Sequence, residues 1–402
     1  MKVVKTLAVV LAVVLLAGFV CIMFLPIDTF VAKRSAGFKG YDVPTSYTDS
    51  IYRYYYNKLG EKEQEAYRLV YAALSDDSAK EFPKQIVIPN LSDKELEAMY
   101  TSLSYDNPEL FFLGNKCSMT RIGSINYFVP QYLMSHKDYE KKWSQVTSAA
   151  QKLLGSIPGT ATTEYAKELF LHDYLVQNCE YDESYDNDVY TMYGVLVNGR
   201  ANCEGYSRTM QYLLRTLGIY NYLAVGNAEG EKDSFAGHMW NIVKIDGNMY
   251  NLDVTWDDYA VMELVDFPDN SVSHVYFNMS TADISRNRTT DDQTLWADCV
   301  MPSYGYFKNK GLYFSSYNAV TEQSMKDAIV ESLSTGYNSV EFAFSDRASY
   351  DSAFDILVTR GSMYNIILSA NRQVAAGLRV DPSSVQYAMD ENNLVLRFFF
   401  LR

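Results

Sequence analysis

Cys203 is one of five cysteines in 402 residues, and it occupies a position where a thiol could react. It lies where the turn in "GVLVNGRANC" meets a stretch whose apolar residues recur at helical spacing from Tyr206 to Leu217. In the first turn of a helix, unpaired backbone amides and the positive end of the helix dipole favour a thiolate. A backbone N–H there could also donate to the oxyanion that forms on an attacked carbonyl. The sequence therefore predicts Cys203 as a nucleophile.

A reactive thiol needs a base and a group that orients the base, and one predicted hairpin supplies both. In "HMWNIVKIDGNMYNLDVTW" the Asp-Gly pair at 246–247 predicts a two-residue turn. The register of that turn makes His238 and Asp253 diagonal neighbours on one face, at roughly 7–8 Å between Cα atoms. A three-residue turn would place the two side chains on opposite faces. We therefore predict a triad of Cys203, His238 and Asp253 as nucleophile, base and orienting acid.

Each of these residues also has an ordinary structural interpretation. A lone cysteine at a helix start is more often buried than reactive, and an aspartate in "NLDVTWDD" could belong to a turn. The combination of all three residues in the order Cys, His, Asp, with the His and the Asp on one face, is much less expected by chance than any one of them alone. The other histidines are assigned structural roles: His172 in helix packing, His136 before a helix and His274 at a strand start.

Four cysteines lie outside the N-terminal segment: Cys117, Cys179, Cys203 and Cys299. Because four is an even number, two disulfides are possible by count. A disulfide from Cys203 to Cys179 or Cys117 would leave its sulfur unreactive. The chain has no CxxC motif and no close Cys/His pair, so these cysteines do not predict a structural zinc site.

The elements around Cys203 change type along the chain. Apolar periodicity predicts helices in residues 49–75 with a break at Gly60, from about Ser92 to Asn107, in 136–157 and in 163–182. After a helix stop at Gly218, strands are predicted in 219–226, 238–256 and 274–280, which gives an α+β arrangement. A small α+β unit is predicted from about residue 304: a hairpin at 304–317, a helix at 321–336, a strand at 337–345, a helix at 349–361 and a hairpin at 384–401.

The N-terminus predicts a membrane anchor. Lys2 and Lys5 precede an uncharged run at 6–25, and twenty helical residues span about 30 Å, one bilayer core. A cleaved signal peptide would have a shorter apolar region and a cleavage site with small residues, and neither fits well. We expect an uncleaved anchor with the rest of the chain outside the cell, or a secreted protein if the anchor is cleaved.

The overall charge argues against one class of partner. With 35 basic and 49 acidic residues the formal net charge is -14, so the chain is not expected to bind nucleic acid. The 34 tyrosines suit wet, amphipathic surfaces that contact polymers or proteins, although they equally fit a habit of the source genome.

The residues around the triad resemble the transglutaminase-like superfamily, a papain-related thiol fold with catalytic order Cys, His, Asp. The family pattern of Cys-x-Gly-Tyr, His-x-Trp-Asn and a return strand with Tyr and Asp matches "NCEGYS", "HMWN" and "MYNLDVTWDD". "YGVLVNG", the "HDYL…YD" helix and "YFN" further resemble its bacterial membrane-anchored or secreted branch. Asn202 departs from the apolar residue common before the nucleophile. The resemblance covers about 95–285 and is most specific in 165–258.

The resemblance implies acyl transfer at amide bonds, without a metal or organic cofactor. Cys203 would form a thioester, His238 would shuttle the proton and Asp253 would hold the imidazole tautomer. Either water or an amine would resolve the thioester, so peptidase or amidase activity and transglutaminase-type cross-linking both stay open. The expected substrate is a protein or peptide of the cell envelope. The alternative is a catalytically idle scaffold for cell-envelope or protein binding, although such a scaffold has no use for all three residues.

The predicted fold class is therefore α+β, with a helical region leading into a transglutaminase-like core with antiparallel strands. The predicted segments are an anchor at 1–26, a linker at 27–47, a mainly helical region at 48–160, the catalytic domain at 161–300 and an accessory α+β domain at 301–402.

Overall fold

The computed structural model describes residues 53–401, except 77, 123–124, 185, 230–234, 259–270, 291, 293–294, 297 and 302–304. The predicted anchor at 1–26 and the linker at 27–47 lie outside the described residues. Within the described part of the chain, none of the helices combines the length and the apolar character that crossing a bilayer would require.

The chain divides into two compact units, Met1–Lys141 and Lys142–Arg402. The described part of the first unit contains the helices α1 (Glu61–Leu74) and α2 (Asp93–Asp106), with Gly60 and Ser92 as their N-caps. The predicted break at Gly60 and start at Ser92 are confirmed, but the helix predicted before Gly60 is, within the described residues, only a 3-10 turn at Tyr56–Lys58. Ser92 accepts a hydrogen bond from the Glu95 amide, while the Glu95 carboxylate accepts one from the Ser92 amide, so both ends of this capping box are satisfied.

The first unit also contains a sheet that the apolar periodicity does not predict. Its strands are β1 (Ile86–Ile88), β2 (Leu113–Ile122) and β3 (Ile125–Tyr132), antiparallel in the order β1-β3-β2. In "GNKCSMTRI" polar residues outnumber apolar ones, so burial alternation gives little signal there. The description of this region as mainly helical is therefore incomplete.

The centre of the second unit is a helix packed on an antiparallel sheet. Helices α3 (His136–Gly155) and α4 (Glu164–Asn178) precede the short parallel strands β4 (Glu180–Tyr181) and β5 (Arg200–Ala201), and α5 (Cys203–Thr216) follows. The sheet order is β8-β7-β6-β9, with β6 (Asn221–Glu229), β7 (Phe235–Ile245), β8 (Asn248–Leu252) and β9 (Arg288–Thr289). The helices α3, α4 and α5 confirm the predicted ones.

Helix α5 is held on this sheet by one apolar face. Tyr206, Met210, Leu213 and Leu214 are all fully buried. Burial of side chains of this size contributes about 1.5–3 kcal/mol each. Gly218 follows the helix at φ 78°, a conformation that glycine adopts without steric cost, so the predicted helix stop is confirmed.

The predicted hairpin is confirmed in its register. Ile245 pairs with Asn248 and Asn241 with Leu252, and the intervening Asp246 and Gly247 have φ values of 50° and 86°. Positive φ at both central residues is the signature of a type I′ turn, which matches the strand twist. The segment 274–280, predicted as a strand, is instead a turn in which Met279 forms only an isolated bridge to Asn251. Asn278 there has φ 54°, which interrupts any extended run.

The C-terminal part of the second unit is a four-stranded sheet with helices. Its order is β10-β11-β13-β12, with β10 (Tyr313–Phe314), β11 (Ser339–Phe344), β12 (Gln386–Asp390) and β13 (Val395–Phe399). The other elements are the short helices α6 (Thr281–Ile284) and α7 (Tyr306–Asn309) and the longer α8 (Ala319–Thr335), α9 (Arg347–Phe354) and α10 (Ser362–Asn371). The predicted closing hairpin and the strand at 337–345 are confirmed.

The hairpin predicted at 304–317 is wrong. Helix α7 occupies its first half, Gly311 turns the chain at φ 69°, and β10 pairs parallel with β11. Aromatic residues suit a strand and a buried helical turn equally, so the pattern of this segment does not distinguish the two structures.

Candidate active site

Cys203 is the first residue of helix α5, as predicted, and Asn202 caps that helix. The Asn202 side-chain oxygen accepts hydrogen bonds from the Glu204 amide at 3.1 Å and the Gly205 amide at 3.3 Å. Asn202 therefore satisfies two amides that an apolar residue would leave unbonded. This cap accounts for the departure from the family pattern at position 202.

The start of α5 is packed against a neighbouring turn of the chain. The Asn202 amide donates to the Val189 carbonyl at 3.0 Å, and a Cβ on Gly205 would lie only 2.4 Å from the same oxygen. Glycine at position 205 is thus required for the helix to approach this turn so closely. The position of the Cys203 backbone is fixed by these contacts.

The sulfur of Cys203 is partly exposed and in no disulfide. Cys117, Cys179 and Cys299 are also free thiols. Burial raises the pKa of both Cys179 and Cys299 to about 12, so these two thiols stay neutral. The disulfides considered from the even cysteine count do not form among these four residues.

The structure brings the other two predicted side chains into contact. His238 Nε2 lies 2.7 Å from Asp253 Oδ2, with His238 on β7 and Asp253 immediately after β8. The His238 imidazole also interacts with the Cys203 side chain, and this interaction helps to raise the pKa of His238. Because Nε2 is taken by Asp253, Nδ1 is the ring nitrogen left for the sulfur. The three predicted residues thus form one connected group, with the sulfur at its exposed end.

The charges in this group stabilise one another. Burial disfavours the His238 imidazolium, but Asp253 and the Cys203 side chain outweigh that effect and raise the pKa of His238 to about 9. Burial likewise disfavours the Asp253 carboxylate, but His238 and Arg288 lower its pKa to about 2. At neutral pH the imidazole is therefore protonated and its partner carboxylate is ionised.

Arg288 is a part of this site that the sequence analysis missed. Its Nη2 and Nε donate to Asp253 Oδ2 at 2.7 and 3.2 Å, and its side chain is fully buried. The guanidinium carbon also lies 4.2 Å from the centre of the Trp256 ring and 4.9 Å from that of Tyr276. Arg288 is 35 residues from Asp253, and no motif or spacing points to it; the pairing of β9 with β6 brings it there.

The motif residues beside His238 hold the hairpin against α5. The Asn241 amide donates to the Ser207 carbonyl at 2.9 Å, and the Ser207 hydroxyl donates to the Met239 carbonyl at 2.9 Å. The Trp240 indole donates to Asn251 Oδ1 on β8 at 3.0 Å. These bonds fix the distance between the strand that carries His238 and the helix that carries Cys203.

Tyr206, from the "NCEGYS" motif around Cys203, ties α5 to the segment that follows Asp253. Its hydroxyl lies 2.6 Å from Asp258 Oδ2 and 2.9 Å from the Cys179 carbonyl oxygen. Burial and the electrostatic interaction with Cys203 raise the pKa of Tyr181, so Tyr181 is a neutral phenol. Tyr181 belongs to the "HDYL…YD" pattern, which gave it no role in the site.

The remaining histidines lie elsewhere. His136 begins α3 and forms a 3.7 Å contact with Glu140. His172 is fully buried on α4, but its role is more than helix packing, because it meets Asp173, Asp257 and the ring of His274. The donor atoms of His172, Asp173 and His274 all lie within 4.8 Å of one another, a spacing that could hold a metal ion.

Comparison with known proteins gives a family for the segment that carries the triad. Residues 151–254 match the family model described as transglutaminase-like superfamily. Among curated proteins, none matches the chain. Three solved structures are similar to parts of it: a TGase, a proposed cysteine protease from Cytophaga hutchinsonii and a proposed protease from Parabacteroides distasonis.

The similarity to these structures is partial. Sequence identities are 18%, 14% and 13%, with TM-scores of 0.24, 0.23 and 0.18. The matches cover 46%, 35% and 34% of this chain and 54%, 61% and 35% of those chains, so this chain spans about half the length of the first. The family match contains Cys203, His238 and Asp253, and the mixed fold with antiparallel strands agrees with it. The segment that carries the triad is therefore similar to the transglutaminase-like superfamily.

Proposed function

We propose that this protein is an extracytoplasmic cysteine-dependent acyl-transfer enzyme that acts on amide bonds of proteins or peptides in the cell envelope. The observation that carries the proposal is the position of the His238 ring, which lies 2.7 Å from Asp253 and interacts with the Cys203 side chain. A nucleophile, a base and a group that orients the base are the three parts that covalent catalysis by a thiol needs.

The raised pKa of His238 keeps its imidazole protonated at neutral pH, so in the proposed reactive form an imidazolium lies beside the attacking sulfur. The Cys203 thiolate attacks the amide carbonyl, and the protonated His238 donates its proton to the leaving amine as the C–N bond breaks. The resulting thioester is attacked by water or by a primary amine, which gives its proton to the now neutral His238, and the Cys203 thiolate leaves. Asp253 keeps the ring oriented throughout.

Stabilisation of the oxyanion is assigned to the first turn of α5. The amides of Glu204 and Gly205 are bonded to Asn202, so we assign the backbone N–H of Cys203 as a donor to the oxyanion. Tyr181 is a second candidate donor, because it interacts electrostatically with Cys203 and its raised pKa keeps its hydroxyl proton in place.

Both outcomes of the second step stay within the proposal. Water as acceptor gives a peptidase or amidase, and an amine gives cross-linking. The location outside the cytoplasm is supported by the uncharged run at residues 6–25, which would anchor the chain in the membrane. Resistance of the protein to alkaline extraction from membranes would test the anchor.

The function can be tested with amide substrates under competition between water and a primary amine. Wild type is expected to release ammonia or an amine and to accumulate a thioester on Cys203 that mass spectrometry detects. Cys203→Ala should lose both activities, whereas Cys117→Ser, which alters a thiol in the other unit, should keep them. If wild type and Cys203→Ala behave alike on the whole substrate panel, the protein is a scaffold and the proposal fails.

A further inference from the structure

A second buried cluster of titratable side chains lies in the Lys142–Arg402 unit and shares no residue with the triad. It consists of His172 and Asp173 from α4 and His274 from the 271–280 segment. Asp173 Oδ1 lies 3.0 Å from His172 Nδ1 and 3.1 Å from His274 Nε2. One nitrogen of each ring therefore points at the same carboxylate oxygen.

The opposite nitrogen of each ring faces another carboxylate. His172 Nε2 lies 3.1 Å from Asp257 Oδ2, and His274 Nδ1 lies 3.7 Å from Glu341 Oε2. The second oxygen of Asp173 accepts a hydrogen bond from the Tyr337 hydroxyl at 2.9 Å. Histidines that bind a metal almost always give their other N–H to a carboxylate or carbonyl, and ligating carboxylates are hydrogen-bonded in turn. The outer contacts of this cluster follow that arrangement at His172 and Asp173, while the contact of His274 Nδ1 with Glu341 is longer than a hydrogen bond.

The cluster also has the charge and the access that a cation requires. Asp257 and Glu341 supply two buried carboxylates around the two imidazoles, and Asp173, whose side chain is 14% exposed, supplies a third. Glu341 also accepts a hydrogen bond from Arg397 at 2.9 Å. Asp173, His274 and Glu341 line a cavity of about 540 Å³, whose wall also includes Tyr306 and Tyr337. The His274 ring is held in place by stacking on Tyr306, with ring centroids 3.7 Å apart and planes 9° from parallel. The cavity offers a route for an ion and room for water as an additional ligand.

We propose that His172, Asp173 and His274 bind one divalent transition-metal ion of the zinc class, with water from the cavity completing the coordination. Two imidazole nitrogens and one carboxylate oxygen favour zinc over magnesium or calcium, which prefer oxygen ligands. Metal–ligand distances of about 2.0–2.1 Å in a tetrahedral site place the donor atoms about 3.3 Å apart. The two distances to Asp173 Oδ1 need to open by only about 0.2–0.3 Å, within the reach of side-chain rotation.

The ion would act as a structural link. His172 and Asp173 lie on α4, His274 lies in the 271–280 segment, and the outer partners Tyr337 and Glu341 belong to the C-terminal part of the same unit. A ligand that binds only the folded state stabilises it, so added zinc should raise the melting temperature. This site does not depend on the proposed acyl transfer, because none of its residues belongs to the triad.

The test uses the full chain in mild detergent with Cys203→Ala, which removes the exposed thiol as a competing zinc ligand. Zinc chloride titrated by calorimetry should bind with a stoichiometry of one and raise the melting temperature, while magnesium and calcium should do neither. X-ray absorption of the zinc adduct should show two imidazoles, nitrogen or oxygen neighbours only, and no sulfur near 2.3 Å. The X-ray absorption measurement needs no substitution at His172, Asp173 or His274.

His274→Gln and Asp173→Asn, made in the same background, should each weaken zinc binding roughly 100-fold or more, because loss of an outer partner alone costs 10–100-fold. His136→Gln is the matched control, since His136 lies outside the cluster, and it should leave the affinity unchanged. Three results would contradict the proposal: no stoichiometric zinc binding, an absorption spectrum with a sulfur neighbour or a single imidazole, or undiminished binding in both variants. Each would show that the cluster is a metal-free imidazolium–carboxylate network.

Discussion

At the scale of single residues, the charge state of His238 sets the alkaline limit of the proposed reaction. The raised pKa, about 9, means that the imidazolium is present below this pH and loses its proton above it. Since the leaving amine takes that proton, amide turnover should fall as the pH rises through about 9. A pH profile of kcat/KM with an amide substrate measures this limb.

Substitution of Asp253 tests whether its carboxylate causes this shift. Asp253→Asn removes the negative charge that favours the imidazolium, so the alkaline limb should move down towards the ordinary histidine pKa of about 6.5. The maximal rate should fall on the order of 100-fold or more, because the ring also loses its orienting partner. A limb that stays near pH 9 in this variant would show that Asp253 does not control the protonation of His238.

Arg288 should act on both stability and reactivity through Asp253. Arg288→Met leaves a buried carboxylate without its guanidinium partner, a change that typically costs about 3–5 kcal/mol in the free energy of unfolding. A less firmly held Asp253 should also slow alkylation of Cys203 by iodoacetamide. Urea unfolding and the alkylation rate are the two measurements.

Arg286→Met provides the matched control for Arg288. Arg286 is exposed and pairs with Asp283 on the surface, so its loss should change the free energy of unfolding by no more than about 0.5 kcal/mol. Equal urea midpoints for Arg288→Met and Arg286→Met would show that the buried pair of Arg288 with Asp253 does not stabilise the fold.

At the scale of elements, the start of α5 depends on a close approach that only glycine permits. Gly205→Ala would bring a methyl group within 2.4 Å of the Val189 carbonyl oxygen, so the helix start must shift, at a cost of about 1–3 kcal/mol. Because Cys203 lies two residues earlier, its alkylation rate should fall as well. At Gly155, at the end of α3, an added Cβ would meet nothing within 4 Å. Gly155→Ala should therefore leave the free energy of unfolding unchanged or raise it by up to about 1 kcal/mol. If thermal unfolding ranks the two variants equally, the packing at Gly205 is not limiting.

The elements that position the triad were predictable because local signals determine them. The Asp-Gly pair at 246–247 fixed the hairpin register, and the apolar stripe of α5 with Gly218 fixed the helix that begins at Cys203. That register predicts His238 and Asp253 on one face, and the paired strands end one residue before Asp253, at Asn241 and Leu252. Arg288 could not be found in this way, because the β6–β9 pairing that brings it to Asp253 is long-range and leaves no periodic pattern. The 274–280 segment was misassigned because Asn278 adopts positive φ, which its apolar neighbours do not reveal.

At the scale of the whole molecule, the described contacts argue that the C-terminal part supports the core. The predicted accessory domain at 301–402 and the triad-bearing residues fall in one compact unit, Lys142–Arg402. Glu341 on β11 accepts a hydrogen bond from the His274 amide at 2.9 Å, and the Tyr337 hydroxyl donates to Asp173 on α4. Both acceptors are side chains with little solvent access, so the loss of their partners would be costly.

Truncation after residue 300 should therefore destabilise the core rather than release an independent domain. The truncated chain would leave Asp173 and His274 without Tyr337, Tyr306 and Glu341, and it would expose part of the surface that lines the 540 Å³ cavity. We expect a melting temperature lower by several degrees, since 1 kcal/mol shifts the Tm of a domain of 150–250 residues by about 2–4 °C. Glu341→Gln in the full chain should move the Tm in the same direction by a smaller amount, because it removes only the charge that pairs with Arg397 and His274 and leaves the rest of residues 301–402 in place. Differential scanning calorimetry of the three proteins gives the comparison. An unchanged transition in the truncated chain would instead identify residues 301–402 as a domain that folds separately from the triad.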